Sequence, residues 1–292
     1  MNGREEQKNQ KFIDVEMILK TRAPKLYRFL PRFLLNYVRE KLHEGDINRA
    51  MKVLHPYHGL EFNNRILEYL GITVDAVYHD RLPEKGPCIV VSNHPLGGLD
   101  GMALIKKVSE SRTDIRFLVN DILLQLKNFG ELFVGVNKLG GNPRDRLLQL
   151  DKIFSGDNTI LIFPAGLVSR KQNGVIKDLP WNKTFVTKSK KHGIPIYPVF
   201  IEGKNSAFFY NFARFRKCLG IKANIEMMLL PDEMFRQKNA KISMIFGKSI
   251  HPVFLGSEFS DYVWAQKIKE YVYSEEMKKG ISFQDLVKKG KI

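Results

Sequence analysis

From about residue 72 onward, short runs rich in β-branched residues alternate with stretches whose apolar positions recur at helical spacing. That alternation predicts βα units and a largely parallel sheet buried on both faces, because parallel strands need crossovers that lay helices over the sheet. Strands are expected at 73–79, 87–93, 115–120, 158–163, 194–201, 223–229 and 241–247, and helices at 61–70, 101–110, 121–129, 144–155, 181–191 and 260–277. Upstream, residues 25–42 interleave Leu26, Tyr27, Phe29, Leu30, Phe33, Leu34, Leu35, Tyr37 and Val38 with Lys25, Arg28, Arg32, Arg39 and Lys41, and Pro31 breaks the pattern. A basic amphipathic segment of this kind either lies in a lipid interface, apolar face down, or packs as an ordinary helix on the core. The expected fold is therefore mixed α/β, a largely parallel central sheet flanked by helices. An N-terminal helical membrane-associating element at 1–60 precedes one catalytic-sized domain at 61–292.

Composition sharpens this picture at two points. Hydrophobic residues at 43% and charged residues at 27% suit a chain of 292 residues with a sizeable core, leaving only the polar start and the lysine-rich end without one. The formal net charge of +16 attracts nucleic acid, anionic lipid or an acidic protein. Nucleic acid fits poorly, because no zinc-finger spacing occurs and the basic residues are spread along the chain. No run approaches the roughly 18 apolar residues that span a bilayer, and the charged start lacks the apolar stretch of a secretory signal. Any membrane contact is expected to be peripheral, with segment 208–217 ("FFYNFARFRK") assisting residues 25–42. Two cysteines, Cys88 and Cys218, form no disulfide framework and suit a reducing compartment. The expected location is the cytoplasmic face of the cell membrane.

Chemistry enters with "VVSNHPLGGLDGMALI" (90–105). Pro95 holds His94 extended, just beyond a strand's carboxyl end, the edge where open α/β sheets bind ligands. Gly97 and Gly98 allow the loop to curl and return Asp100 toward the imidazole. A carboxylate on one ring nitrogen fixes the tautomer and leaves the other nitrogen free to take a proton. The alternative is that Asp100 caps the following helix while His94 is a plain loop residue; the two roles are compatible. No partner histidine or cysteine lies at ligand spacing, so no metal is expected.

A second stretch, "TILIFPAGLVSRKQNG", ends another buried strand at Phe163 and turns through Pro164 and Gly166 to deliver Ser169, Arg170 and Lys171. If both strands belong to one sheet, both ends lie on the same edge. The glycine-rich "GVNKLGGNPRDR" (135–146) adds Lys138, Arg144 and Arg146, a cluster suited to a phosphate or carboxylate, although each cation alone reads as solvated surface.

In order and spacing, "SNHPLGGLDG", "LFVGVNKLGGNPR", "FPAGLVSR" and "IPIYPVFIEG" resemble the four motif blocks of the glycerolipid acyltransferase superfamily, over roughly residues 72–205. Five residues, Pro95 to Leu99, separate the histidine from the aspartate where the family usually has four. This longer form is similar to the branch described as hemolysin-like or lyso-ornithine lipid acyltransferases. Ala165 and Leu167 stand where the glycerophosphate enzymes carry glutamate and threonine, which turns the expectation away from glycerol phosphate.

The resemblance implies an O-acyltransferase domain at 61–292 that acylates the hydroxyl of a lysolipid, an ornithine- or glycine-type lyso-aminolipid fitting best. His94 and Asp100 are the implied catalytic residues, and Asn93, Lys138, Arg144, Gly166, Ser169, Arg170 and Lys171 the implied substrate-binding ones. The donor is acyl carrier protein or coenzyme A as acyl thioester, with no resident cofactor. Backbone amides near Gly97, Gly98 or Gly166 are candidates for the oxyanion. The alternatives are a 1-acylglycerol-3-phosphate acyltransferase and a non-catalytic basic module docking on membrane or nucleic acid.

Overall fold

The computed structural model describes residues 11–22, 24–135 and 143–292. Four helices open it: α1 (Val15–Arg22), α2 (Pro24–Phe29), α3 (Arg32–Lys41) and α4 (Glu44–Leu54). Then follow α5 (Gly59–Tyr69), β1 (Thr73–Val77), β2 (Cys88–Ser92), α6 (Gly98–Val108), β3 (Ile115–Val119), β4 (Phe133–Gly135), α7 (Pro143–Ser155) and β5 (Thr159–Ile162). The second half holds β6 (Arg170–Gln172), β7 (Val175–Lys177), α8 (Thr184–His192), β8 (Ile196–Ile201), α9 (Ala207–Cys218), α10 (Leu230–Arg236) and β9 (Lys241–Phe246). Three helices, α11 (Asp261–Val272), α12 (Glu275–Lys278) and α13 (Phe283–Lys288), close the chain.

Seven strands form one sheet in the order β1-β9-β8-β2-β5-β3-β4. Strands β8, β2, β5, β3 and β4 run parallel, β9 is antiparallel to β8, and β1 is parallel to β9. The sheet is thus mixed and largely parallel, as the strand and helix alternation predicts. The central strand β2 shows why its sequence lacks polar alternation: Cys88 and Val90 face one apolar cluster with α5 and α6, while Ile89 and Val91 face the other with α8 and α11. All four are wholly buried, so both faces demand apolar side chains.

Three local expectations are corrected. The run 223–229 is a 3₁₀ turn (Ile225–Leu229) leading into α10, not a strand. Glu226 in its middle is buried against arginines from β6 and α9, and Pro231 suits a helix's first turn, so tertiary pairing overrides strand propensity. The expected helix at 121–129 is two 3₁₀ turns, Asp121–Gln125 and Lys127–Leu132, the second interrupted at Gly130 with φ 53°. The helix expected over 260–277 divides at Ser274, whose hydroxyl caps α12 by accepting from Met277 N. An unforeseen hairpin joins β6 to β7 through Asn173 and Gly174, whose φ values of 48° and 84° suit an Asn-Gly turn.

The 25–42 segment splits at Leu30 and Pro31 into α2 and α3. Leu35 is buried, whereas Phe29 and Phe33 are 80% and 74% exposed. The helices thus meet the rest of the protein through Leu35 and through the Lys41–Asp232 and Arg39–Glu44 ion pairs, and leave large apolar side chains uncovered. Among the described residues, no helix is long and apolar enough to cross a membrane.

Gly101 on α6 lets the helix close on β3: a Cβ there would lie 2.7 Å from the Phe117 ring. Overpacking costs about 1–3 kcal/mol, against about 1 kcal/mol gained from helix propensity. Gly101→Ala should therefore lower stability, by up to about 2 kcal/mol, in urea unfolding; a more stable variant would show the ring free to move.

Candidate active site

The site grows from the carboxyl end of β2. Asn93, 2% exposed, donates from Nδ2 to Ile201 O at 2.8 Å and accepts from Ile201 N at 2.7 Å, extending the β2–β8 pairing through a side chain. The next residue, His94, is thereby placed at the sheet edge. Gly97, at φ 81°, then turns the chain into α6.

Asp100 lies in the first turn of α6, wholly buried. Its Oδ2 accepts from Leu96 N at 2.7 Å and Gly97 N at 3.0 Å, and lies 2.9 Å from His94 Nδ1. Helix capping and imidazole orientation, which the sequence offers as two readings, are therefore performed by one oxygen. The other oxygen, Oδ1, is buried without a hydrogen-bond partner among the described residues. Burial pushes the Asp100 carboxyl above its ordinary value, against the His94 ring and the two amides that favour the charged form. The positive end of α6 also favours the carboxylate.

Phe163 stacks on the His94 ring at 4.1 Å between centroids and 16° between planes. One face and one edge of the imidazole are thus fixed. With Nδ1 donating to Asp100, Nε2 is the acceptor nitrogen, and it has no hydrogen-bond partner among the described residues.

Phe163 follows β5, so the ends of β2 and β5 do meet on one edge. Gly166, exposed at φ 65°, completes a tight turn in which its N–H donates to Phe163 O at 3.0 Å. Ser169 N donates to His94 O at 2.7 Å, and Ser169 Oγ donates to Asp178 Oδ1 at 2.6 Å. Asp178 also accepts from His94 N at 3.2 Å and from Trp181 Nε1 at 2.9 Å. Beside this turn, Ala165, Gly166, Trp181, Lys183 and Tyr262 help line a groove of about 540 Å³.

The cationic cluster expected from the sequence is distributed differently. Arg170 is buried: its guanidinium bonds Glu226 Oε1 at 2.7 Å and the Val168 and Ser169 carbonyls. Arg216 pairs with the same carboxylate at 2.6 Å. Arg170 therefore belongs to a buried Arg–Glu–Arg group that ties β6 to α9, with its charge already engaged. Ser169 and Asn93 are likewise committed to internal partners, and these three side chains hold the site instead of facing solvent. Lys171 stands exposed on β6. Lys138, and the side chains of Arg144 and Arg146, lie outside the described residues. Among the described residues, no group of three or more His, Cys, Asp or Glu side chains is arranged to hold a metal ion.

Sequence reasoning overlooked Asp178, Trp181 and Glu226. Asp178 lies just before the helix expected over 181–191, and nothing local signals a carboxylate wholly out of water. Phe163 was placed correctly at a strand end, but its stacking on His94 depends on strand neighbours that are distant in sequence.

A histidine oriented by a buried aspartate, at the carboxyl edge of a largely parallel sheet, fits a transferase that works through a general base. The chain belongs to the acyltransferase family, whose sequence profile matches residues 17–274. Among individual proteins, it is 41% identical over 262 residues to the lyso-glycine lipid O-acyltransferase of Phocaeicola vulgatus, covering 89% of this chain and 94% of that one. It is 39% identical over 262 residues to the protein of the same name from Bacteroides thetaiotaomicron, covering 89% and 96%. The crystal structure of the 1-acyl-sn-glycerophosphate (LPA) acyltransferase PlsC from Thermotoga maritima aligns with 88% of this chain and 93% of its own, at 16% identity and a TM-score of 0.48. This protein is an acyltransferase.

The Arg–Glu–Arg group yields a stability prediction. Glu226→Gln leaves two buried guanidinium groups without their counter-charge, and such a break costs about 3–5 kcal/mol. Chemical denaturation should register that loss; a change below about 1 kcal/mol would mean that the arginines relax to water.

Proposed function

We propose that this acyltransferase moves a fatty acyl group from an acyl thioester to the hydroxyl of a lyso-aminolipid of the glycine or ornithine type. The observation that carries the reading is the 2.9 Å contact between His94 Nδ1 and the buried Asp100, which leaves Nε2 as the base. The acceptor hydroxyl donates to Nε2 and loses its proton there as its oxygen attacks the thioester carbonyl. The tetrahedral oxyanion then collapses, the C–S bond breaks, and the departing thiolate takes the proton from the imidazolium. Asp100 stabilises the transient imidazolium without itself taking the proton. Of the candidate glycine amides, Gly97 N is bonded to Asp100 and Gly166 N to Phe163 O. That leaves Gly98 N, in the first turn of α6, to meet the oxyanion with the helix's positive end behind it.

A glycine-type acceptor is supported by the two relatives and by Ala165, which puts a methyl group instead of a carboxylate beside the groove. A carboxylate on the acceptor then meets no like charge from that position. The donor is acyl carrier protein or coenzyme A, and the protein needs no resident cofactor. His94→Ala should abolish transfer with donor binding retained, and Asp100→Asn should lose about a thousandfold or more, since the amide can fix the wrong tautomer. With both acceptors in one reaction, mass spectrometry should find lyso-glycine lipid acylated before lysophosphatidate. The opposite order would assign the enzyme to phospholipid synthesis.

The protein works peripherally at the cytoplasmic face of the membrane, where its lipid acceptor resides. Phe29 and Phe33 stand exposed beside Arg28 and Arg32. Along α9 and just past its end, Phe208, Phe215 and Leu219 form a second exposed apolar stripe next to Arg214 and Lys217. Apolar side chains rimmed by cations suit an anionic lipid surface. Flotation with anionic vesicles should recover the protein, and added salt should weaken it. Phe33→Glu combined with Phe215→Glu should reduce recovery severalfold. Indifference to salt, lipid charge and both substitutions would refute this location.

A further inference from the structure

His94 is held at two places. Asp100 fixes the ring, and a second buried carboxylate, Asp178, fixes the main chain that carries it. Asp178 is wholly buried, and no cation contacts it among the described residues; its donors are neutral. Oδ1 takes His94 N at 3.2 Å and Ser169 Oγ at 2.6 Å, while Oδ2 takes Trp181 Nε1 at 2.9 Å. Asp178 N donates to the Tyr273 hydroxyl at 2.9 Å, which links the group to the end of α11. Ser169 N closes the circuit by donating to His94 O at 2.7 Å. Both backbone polar atoms of His94 are thus held by the 169–178 segment.

We propose that Asp178 is a positioning residue for acyl transfer, a buried carboxylate that fixes the His94 backbone and, through its negative charge, favours the imidazolium formed as the acceptor loses its proton. The charge need not be neutralised to act. Three donors solvate it in place of water, and in a low-dielectric interior its field reaches the adjacent residue with little screening. Other ionisable groups around His94 and Asp178 come from every neighbouring element. Asp100 on α6 reinforces the same charge, the Arg170–Glu226 pair lies beside Ser169, and Tyr273 follows α11. Burial, followed by the nearby Asp178 charge, pushes the Tyr273 hydroxyl far above its ordinary range, so it stays neutral.

The proposal rests on His94 as base, and the test separates the two claims. Steady-state kinetics on the full chain, with lyso-glycine lipid and acyl thioester, would compare wild type with Asp178→Asn and His94→Ala. Asp178→Asn keeps the shape but removes the charge and one acceptor. Its kcat should fall about ten- to hundredfold, the loss expected from slight misplacement of a catalytic group. Both KM values should stay within about twofold, as expected when an interaction acts mainly in the transition state. Losing a buried negative charge disfavours protonated His94, so the acid limb of the rate profile should also move to lower pH. An unchanged kcat, or a loss confined to KM with the acid limb unmoved, overturns the role of Asp178. Activity surviving in His94→Ala instead overturns the base itself. If Asp178→Asn does not fold, Ser169→Ala and Tyr273→Phe each loosen one tie of Asp178. A severalfold fall in kcat at constant KM in either supports the proposal, and wild-type kcat in both overturns it.

Discussion

One oxygen atom, Asp100 Oδ2, gathers three donors: the His94 ring and the amides of Leu96 and Gly97. The constraint works in both directions. The amides can reach that oxygen only because Gly97 adopts a positive φ, and the ring can reach it only because Pro95 keeps His94 from entering the helix. Five residues between histidine and aspartate are therefore enough to close a loop around one acceptor. The helix that follows contributes its positive end to the same point. Local capping and imidazole orientation cannot be separated here, because they share an atom.

Around this loop the protein uses polar side chains as internal splints. Asn93 joins β2 to β8 where the backbone ladder ends, and Ser169 and Asp178 join the β2 loop to the turn after β5. Glu226 holds arginines from β6 and α9 together. Each is buried, and each is hydrogen-bonded or ion-paired, as polar groups out of water must be. The result is a rigid wall behind His94, with Phe163 against one face of the ring. A general base gains from such rigidity, since its contribution depends on a proton path a fraction of an ångström wide.

Much of this was legible in the chain. The β2, β3, β5 and β8 runs are continuous or near-continuous apolar stretches bounded by turn residues, and their burial on a two-faced sheet follows directly. His94 and Asp100 could be paired because glycines lie between them and both sit within seven residues. The residues around 223–229 were misread because a short apolar run looks the same in a strand and in a 3₁₀ turn, and Glu226 has meaning only beside arginines ten and fifty-six positions away. Arg170 reads as an anion-binding residue for the same reason: a cation after a strand resembles an anion site until its counter-charge, here Glu226, is found. Asp178 gave no signal at all, since its partners are scattered from His94 to Tyr273.

The β6–β7 hairpin has a consequence for how such an enzyme can diverge. It is not hydrogen-bonded into the main sheet, and its two ends, Ser169 and Asp178, are tied to each other at its root. Beyond Arg170, which is anchored on Glu226, the residues from Lys171 to the Asn173–Gly174 tip can lengthen, shorten or change charge without altering the geometry beneath. Lys171 and the Asn173–Gly174 tip are thus an exposed fringe on a buried clasp. An insertion at that tip would change the shape and charge of this edge while the tie between Ser169 and Asp178 beneath it stays in place.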